Sequence, residues 1–344
     1  MFKSVQYASL LAYLSPTLAF GATIPATEDL NRETEFSGFA EQELEPFFES
    51  GDEQWITGEK GLSLRLRTFL QDGDKAIVMA HGFVENINRY KETIYDFYQA
   101  GYSIFAYDHR GHGASDLIAK NPDVGHVDRW DNYVKDFSQV VELASRDFDK
   151  IYLFGHSMGG AVVTTYLQGE PNPKVAKAVL SAPMHEIPTD PYPKLIARGI
   201  VGSAVLIGLG EKWAPGEGPN DPETWTIDTF NESRSKARVD YYIAEMKALG
   251  WGSRAGASNN WVKEVLDATK RMTKSWQIKK ISTPLLILQA SDDDFALPGG
   301  QEKVCAEAPS CKLVQYENSF HSLFIEVDRI RVPYFQDIFK FLAE

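Results

Sequence analysis

The chain has 344 residues, 43% hydrophobic and 24% charged, a globular composition that excludes wholesale disorder. That length suits one large α/β domain with an insertion, or two ordinary domains. Its 35 basic and 48 acidic side chains leave a net charge of −13, which argues against a nucleic-acid partner because phosphate binding needs a basic field.

At the N-terminus Lys3 precedes an apolar stretch over 5–20 that Tyr13, Ser15 and Pro16 interrupt. Ala19-Phe20-Gly21 then places small residues at the −3 and −1 positions of a cleavage site, so residues 1–21 read as an export signal peptide. The stretch is too short for a membrane span, and no cysteine follows it to carry a lipid anchor. The expectation is a periplasmic or secreted protein, free or held at a membrane surface. Export permits a disulfide, and Cys305 and Cys311 sit six residues apart.

Residues 22–50 hold eight acidic side chains and one arginine, and 22–54 reads as a solvated acidic extension with one helix. From Trp55 the texture changes. Alternation over 63–67 predicts a strand with one wet face, and the apolar run 76–80 predicts a strand buried on both faces. A helix over 90–100, a strand at 102–107, a helix over 133–147, a strand at 151–154, a helix over 158–168 and a strand at 178–181 follow. The pattern resumes with a strand at 284–288, a helix near 300–308, a strand at 312–316 and a last helix over 328–342. Such alternation predicts an α/β fold with a mostly parallel sheet and helices on both faces.

The core then occupies 55–183 and 281–344. Between them, 184–280 breaks the pattern with six prolines and five tryptophans, and reads as a largely helical cap. Within it, 199–210 is uncharged, apolar and too short to span a bilayer. It predicts a buried cap helix, a wall of an acyl-chain pocket, or a face that dips into lipid.

Gly155-His156-Ser157-Met158-Gly159-Gly160 directly follows a buried strand and opens a helix. This is the context of a nucleophile elbow, where Ser157 turns sharply and its flanking positions must be small. A serine nucleophile needs a base, and the base an orienting acid, in the chain order Ser, acid, His. His321, in the loop before the last helix, fits the base. His81 and His156 are neighbours of the site, while His109, His112, His126 and His185 read as structural. The strand at 284–288 runs into Asp292-Asp293-Asp294; Asp293 is chosen as the acid, with Asp292 and Asp294 as alternatives. Backbone N–H groups of Met158, after the nucleophile, and of Phe83, in the His81-Gly82-Phe83 loop, are the candidate oxyanion donors. The chemistry calls for no cofactor and no metal.

Together these residues resemble the α/β-hydrolase superfamily, and more narrowly its branch of bacterial lysophospholipases and monoacylglycerol lipases. That branch has a His-Gly loop ending in Arg-Tyr, here His81-Gly82 to Arg89-Tyr90, and an Asp-x-Arg-Gly-x-Gly-x-Ser loop, here Asp108 to Ser115. Gly125-His126-Val127-Asp128-Arg129-Trp130 and Ser181-Ala182-Pro183-Met184 are similar too, as are Ser233-Arg234 and Tyr241-Tyr242 in the cap. The resemblance places the acid four residues after Gln289, at Asp293. It implies an α/β-hydrolase fold with an inserted cap, and a serine carboxyl-ester hydrolase acting on single-chain lipids. Lysophospholipids lead, with a monoacylglycerol lipase, carboxylesterase or transacylase on the same triad as the alternative, and a catalytically silent lipid-binding module as the remote one. A transient membrane contact through the cap would accompany such a substrate. The family does not imply a cleavable signal, so the compartment rests on 1–21 alone.

Overall fold

The computed structural model describes residues 24–251 and 254–344, and the predicted signal at 1–21 lies outside them. The acidic lead-in is not simply a solvated stretch with one helix. It forms α1 (Thr27–Leu30), α2 (Phe36–Phe39) and α3 (Glu45–Glu49), joined by short helical turns. Leu30, Leu44 and Phe48 are fully buried and Phe36 nearly so, while most of the carboxylates face solvent. The acids dominate the composition, but the apolar residues between them are buried in two clusters, Leu30 and Phe48 in the main core and Phe36, Ala40 and Leu44 in a small one beside Tyr95 and Tyr241.

The chain enters the sheet at β1 (Asp52–Thr57), which pairs antiparallel with β2 (Ser63–Phe69). β3 (Lys75–Ala80), α4 (Lys91–Gln99), β4 (Ser103–Tyr107) and a short β5 (Val124–Gly125) follow. Then come α5 (Trp130–Asp147), β6 (Lys150–His156), α6 (Met158–Leu167) and β7 (Val175–Ser181). The segment that breaks the alternation folds as α7 (Lys194–Leu206), α8 (Lys236–Leu249), β8 (Ala255–Ala257), α9 (Asn259–Met272) and α10 (Ser275–Ile278). The sheet resumes with β9 (Leu285–Ala290), α11 (Pro298–Glu307), β10 (Cys311–Tyr316) and α12 (Asp328–Ala343).

Eight strands form one sheet in the order β1-β2-β4-β3-β6-β7-β9-β10, with β2 antiparallel to both neighbours and the rest parallel. One face buries its side chains against α4 and α12, the other against α5, α6 and α9. α5 shows why: Trp130, Tyr133, Phe137, Val140, Val141 and Ala144 recur at helical spacing and are all buried. Ser258 starts α9 by accepting the Trp261 amide at 3.0 Å. Cys305 and Cys311 are joined as a disulfide between the end of α11 and the start of β10.

The Asp108 to Ser115 loop is a scaffold. Asp108 accepts the Ile87 amide at 2.8 Å and the Ala114 amide at 3.0 Å, and Ser115 Oγ donates to the Asp108 carbonyl at 2.7 Å. Gly113 has φ +52°, and a Cβ there would overlap the Asp108 carboxylate. Arg110, fully buried, donates to both oxygens of Asp136 on α5 at 2.6 and 2.8 Å.

The apolar stretch at 199–210 departs from the buried-helix reading. It covers most of α7, of which only Val201 is buried, while Leu206 is 88% and Ile207 73% exposed. Phe48→Ala should lower unfolding free energy by about 3–5 kcal/mol, as expected for a large buried side chain. Chemical denaturation measures this; a change under about 0.5 kcal/mol would mark the lead-in as a solvated tail.

Candidate active site

β3, β6, β7 and β9 run in register, pairing Ala80 with Gly155, His156 with Ser181, and Ser181 with Leu288. The loops that follow them therefore leave the same carboxyl edge of the sheet, where open α/β sheets bind ligands. Ser157 follows β6 immediately and has φ 52° and ψ −117°, a strained conformation for a residue with a side chain. Its amide donates to the Ser181 carbonyl at 3.0 Å, and its carbonyl accepts the Met184 amide at 2.9 Å. A Cβ on Gly155 would lie 2.7 Å from the Gly159 carbonyl oxygen, and one on Gly159 would overlap the Ala80 carbonyl. Only glycine fits at either place.

His321 comes from the loop between β10 and α12, and its Nδ1 is 2.7 Å from Asp293 Oδ2. Asp293 Oδ1 accepts the amides of Phe295 and Ala296 at 2.8 and 2.9 Å, which fixes the carboxylate. Of the three aspartates, Asp293 is the one that meets His321. Asp292 turns outward and meets Arg234 at 2.6 Å, while Asp294 lines the mouth of the cleft without touching the imidazole. Burial works against a charged His321 ring, but Asp293, aided by Glu232 and Glu85, outweighs it and raises its pKa above the usual histidine value.

Ser157, His321 and Phe83 line one cleft of about 550 Å³. Among the described residues neither the Phe83 nor the Met158 amide has a protein acceptor. Met158 is itself buried, and its N–H lies in the first turn of α6, where the helix dipole favours negative charge. Phe83 is held by its ring, which packs on cap residue Trp261 with centroids 3.9 Å apart. Val84 has φ 52°, so the oxyanion-loop candidate carries backbone strain beside the elbow.

The other histidines are buried and hydrogen bonded. His81 Nε2 accepts the His109 amide at 2.9 Å, His109 Nδ1 meets Tyr107, His112 the Arg110 carbonyl, His126 Ser258, and His185 Thr164. Burial pushes all five down, His112 and His185 to about 3. His156 lies with its ring 4.7 Å from that of His321 and is likewise pushed down by burial.

Sequence reasoning missed Glu232. It lines the cleft and accepts an N–H of Arg89 at 2.6 Å, and Arg89 also pairs with Glu85. Arg89 belongs to the His81–Tyr90 motif, whereas Glu232 sits in a cap loop just before Ser233-Arg234 and outside any motif named above.

Residues 71–328 match the family model described as serine aminopeptidase, S33. The chain is 31% identical over 323 residues to the probable lysophospholipase L2 of Haemophilus influenzae, covering 90% of this chain and 98% of that protein. It is 28% identical to the lysophospholipase L2 of Escherichia coli K12, covering 87% and 90%. The crystal structure of the Paleococcus ferrophilus monoacylglycerol lipase superposes with a TM-score of 0.65 at 23% identity, covering 81% of this chain and 98% of that one. By the family match and these relatives, the chain belongs to the serine aminopeptidase S33 family of α/β-hydrolases, in the branch of lysophospholipases and monoacylglycerol lipases.

Proposed function

We propose that the protein is a serine carboxyl-ester hydrolase that releases a fatty acid from single-chain lipids, foremost lysophospholipids. The observation that carries this reading is the Asp293–His321 pair facing the same cleft as the strained Ser157 elbow. Ser157 Oγ attacks the acyl carbonyl while His321 Nε2 takes its proton. Asp293 holds the imidazole through Nδ1 and stabilises its charged form. The amides of Phe83 and Met158 receive the oxyanion, a contribution of about 3–4 kcal/mol per donor in comparable sites. His321 then protonates the leaving glycerol oxygen, and water, activated by the same imidazole, frees the fatty acid.

The substrate reading draws on the cap and on the relatives of nearly full length. Ile187, Pro188, Ala197, Ile200, Val201 and Trp261 give the cleft apolar walls, suited to an acyl chain. α7 places Ala197, Ile200 and Val201 on the cleft while Leu195, Ile196, Leu206 and Ile207 face outward and exposed. An outward face of this kind supports transient contact with a lipid surface, from which a single-chain lipid can pass along α7 to Ser157. Among the described residues no helix is long and apolar enough to cross a membrane.

The charge of the cleft bears on the headgroup. Glu85, Asp190, Glu217, Glu232 and Asp294 line it, and among the described residues no lysine or arginine does. That lining disfavours an anionic headgroup and suits one ending in an ammonium group. It also favours the second reading, a monoacylglycerol, whose neutral glycerol asks for no phosphate partner. The chain is proposed to be exported and cleaved after Gly21; the Cys305–Cys311 disulfide supports an oxidising compartment.

Ser157→Ala should lower ester hydrolysis by about 10⁴-fold or more with the fold intact; activity equal to wild type would refute the nucleophile. A protonated His321 cannot accept the serine proton, and its pKa is raised. Activity should therefore fall with decreasing pH through a midpoint above the ordinary histidine value of about 6.5. Asp293→Asn should move that midpoint to lower pH and cut kcat severely.

Fatty-acid release should be fastest from lysophosphatidylethanolamine and at least about tenfold slower, some 1.4 kcal/mol, from lysophosphatidylglycerol. Preference for monoolein would keep the mechanism and move the substrate to neutral glycerides. Cell fractionation with N-terminal sequencing should find a chain beginning at Ala22 in the envelope fraction. Leu206→Ser with Ile207→Ser should release it to the soluble fraction; an intact Met1 in the cytosol would refute export.

A further inference from the structure

Glu232 belongs to the cap loop before α8, yet it is hydrogen bonded to the residue next to the base. Its backbone carbonyl accepts the Ser322 amide at 2.9 Å, and its carboxylate accepts the Ser322 hydroxyl at 3.0 Å and an Arg89 N–H at 2.6 Å. Arg89 also donates to Ser322 Oγ at 2.9 Å and to Glu85. Glu85 in turn accepts the Gly82 amide at 2.7 Å and the Tyr90 hydroxyl at 2.5 Å. One network thus joins the oxyanion loop, the cap and the loop of the base. Arg89 sits buried among the rings of Phe230, Tyr242 and Phe324. A guanidinium so enclosed needs both carboxylates to offset its desolvation.

We propose that Glu232 is a positioning residue for His321. It clamps the 321–322 loop against the oxyanion loop and adds a second negative charge that favours the imidazolium formed when Ser157 gives up its proton. The charged and titratable groups around the ring are few. Asp293 binds Nδ1, and Glu232 and Glu85 add negative potential. Arg89 lies bound between those two glutamates, His156 is kept neutral by burial, and Asp294 stands at the cleft mouth. Arg234 pairs with exposed Asp292 and with buried Glu326, which accepts the Phe320 amide at 2.8 Å. Since Glu232 is supplied by the cap, the base is fully set only when the cap is seated. The proposal rests on the serine-hydrolase reading above.

The test is the pH dependence of kcat and KM on a soluble p-nitrophenyl ester, with melting temperatures in parallel. Glu232→Gln removes a negative charge, so protonated His321 loses support and the low-pH midpoint moves to lower pH. kcat falls about tenfold through looser positioning, with KM little changed. Glu232→Asp keeps the charge and restores the midpoint. An unchanged midpoint in Glu232→Gln, with only lower stability or uniformly lower kcat, overturns the proposal. Should Glu232→Gln not fold, Ser322→Ala is read instead. It loses the hydroxyl bonds of the clamp to Glu232 and Arg89 and keeps the charge, so kcat drops at a constant midpoint, and an unaltered kcat overturns the clamp. An inactive wild type or an active Ser157→Ala would instead refute the hydrolase reading itself.

Discussion

Everything at this site depends on two backbones meeting where no side-chain atom fits. Gly159 lies against the Ala80 and His81 carbonyls, so α6 begins in direct contact with the end of β3. That contact sets the elbow beside the His81-Gly82-Phe83 loop. It also forces Ser157 into its strained turn, a conformation that costs about 1–3 kcal/mol and persists only where the surroundings over-determine it. Here the surroundings are β3 and β6, buried on both faces, the buried end of β7, and two hydrogen bonds that stitch Ser157 to the chain at Ser181 and Met184.

Buried charge pairs add to the apolar packing of α8 and α9 in tying the cap to the sheet domain. Arg238 of α8 is fully buried and donates to Glu92 of α4 at 2.7 and 3.0 Å and to Asp328 of α12 at 2.7 Å. Glu92 also meets Arg331 at 3.2 Å. Burial raises the Glu92 pKa, but Arg238 first, then Arg331 and Arg32, pull it down to about 2. Lys91 meets Glu245 of α8 at 2.5 Å and Glu45 of α3 at 2.8 Å. Removing one partner from such a pair typically costs about 3–5 kcal/mol, whereas an apolar replacement of the whole pair can be neutral. The net stability gained is therefore small and the gain is in orientation. Greasy contact alone would let the cap slide, while forked guanidinium bonds fix its register over Ser157.

What was legible in the sequence was what short-range pattern encodes. The runs at 76–80 and 151–154 are buried on both faces and read directly as central strands, and the elbow was validated by the strand before it. The aspartate triplet was readable as a place and not as a residue. Its outcome depends on which carboxylate the turn aims at His321, and the Phe295 and Ala296 amides decide that. The lead-in misled because composition averages over faces, so eight acids hid the buried Leu30, Phe36, Leu44 and Phe48. The uncharged stretch at 199–210 left its burial open, because absence of charge does not say which face a helix buries; Leu206 and Ile207 project outward. Glu232 left no local trace at all, since its partners lie 143 and 90 residues away.

The seven histidines show how one imidazole is singled out by its electrostatics. Desolvation acts on every one of them and always against the charged form. His81, His109, His112, His126, His156 and His185 yield to it, and their pKa values fall. His321 is as deeply enclosed, but a fixed carboxylate touches its Nδ1 and two more stand nearby, so the balance reverses. The reversal comes from placement and not from composition. Asp293 arrives from the end of β9, Glu85 from the oxyanion loop and Glu232 from the cap, so three separate chain segments converge on one ring. Glu85 and Glu232 also line the cleft, so the carboxylates that raise the His321 pKa belong to the same acidic lining as Asp190, Glu217 and Asp294.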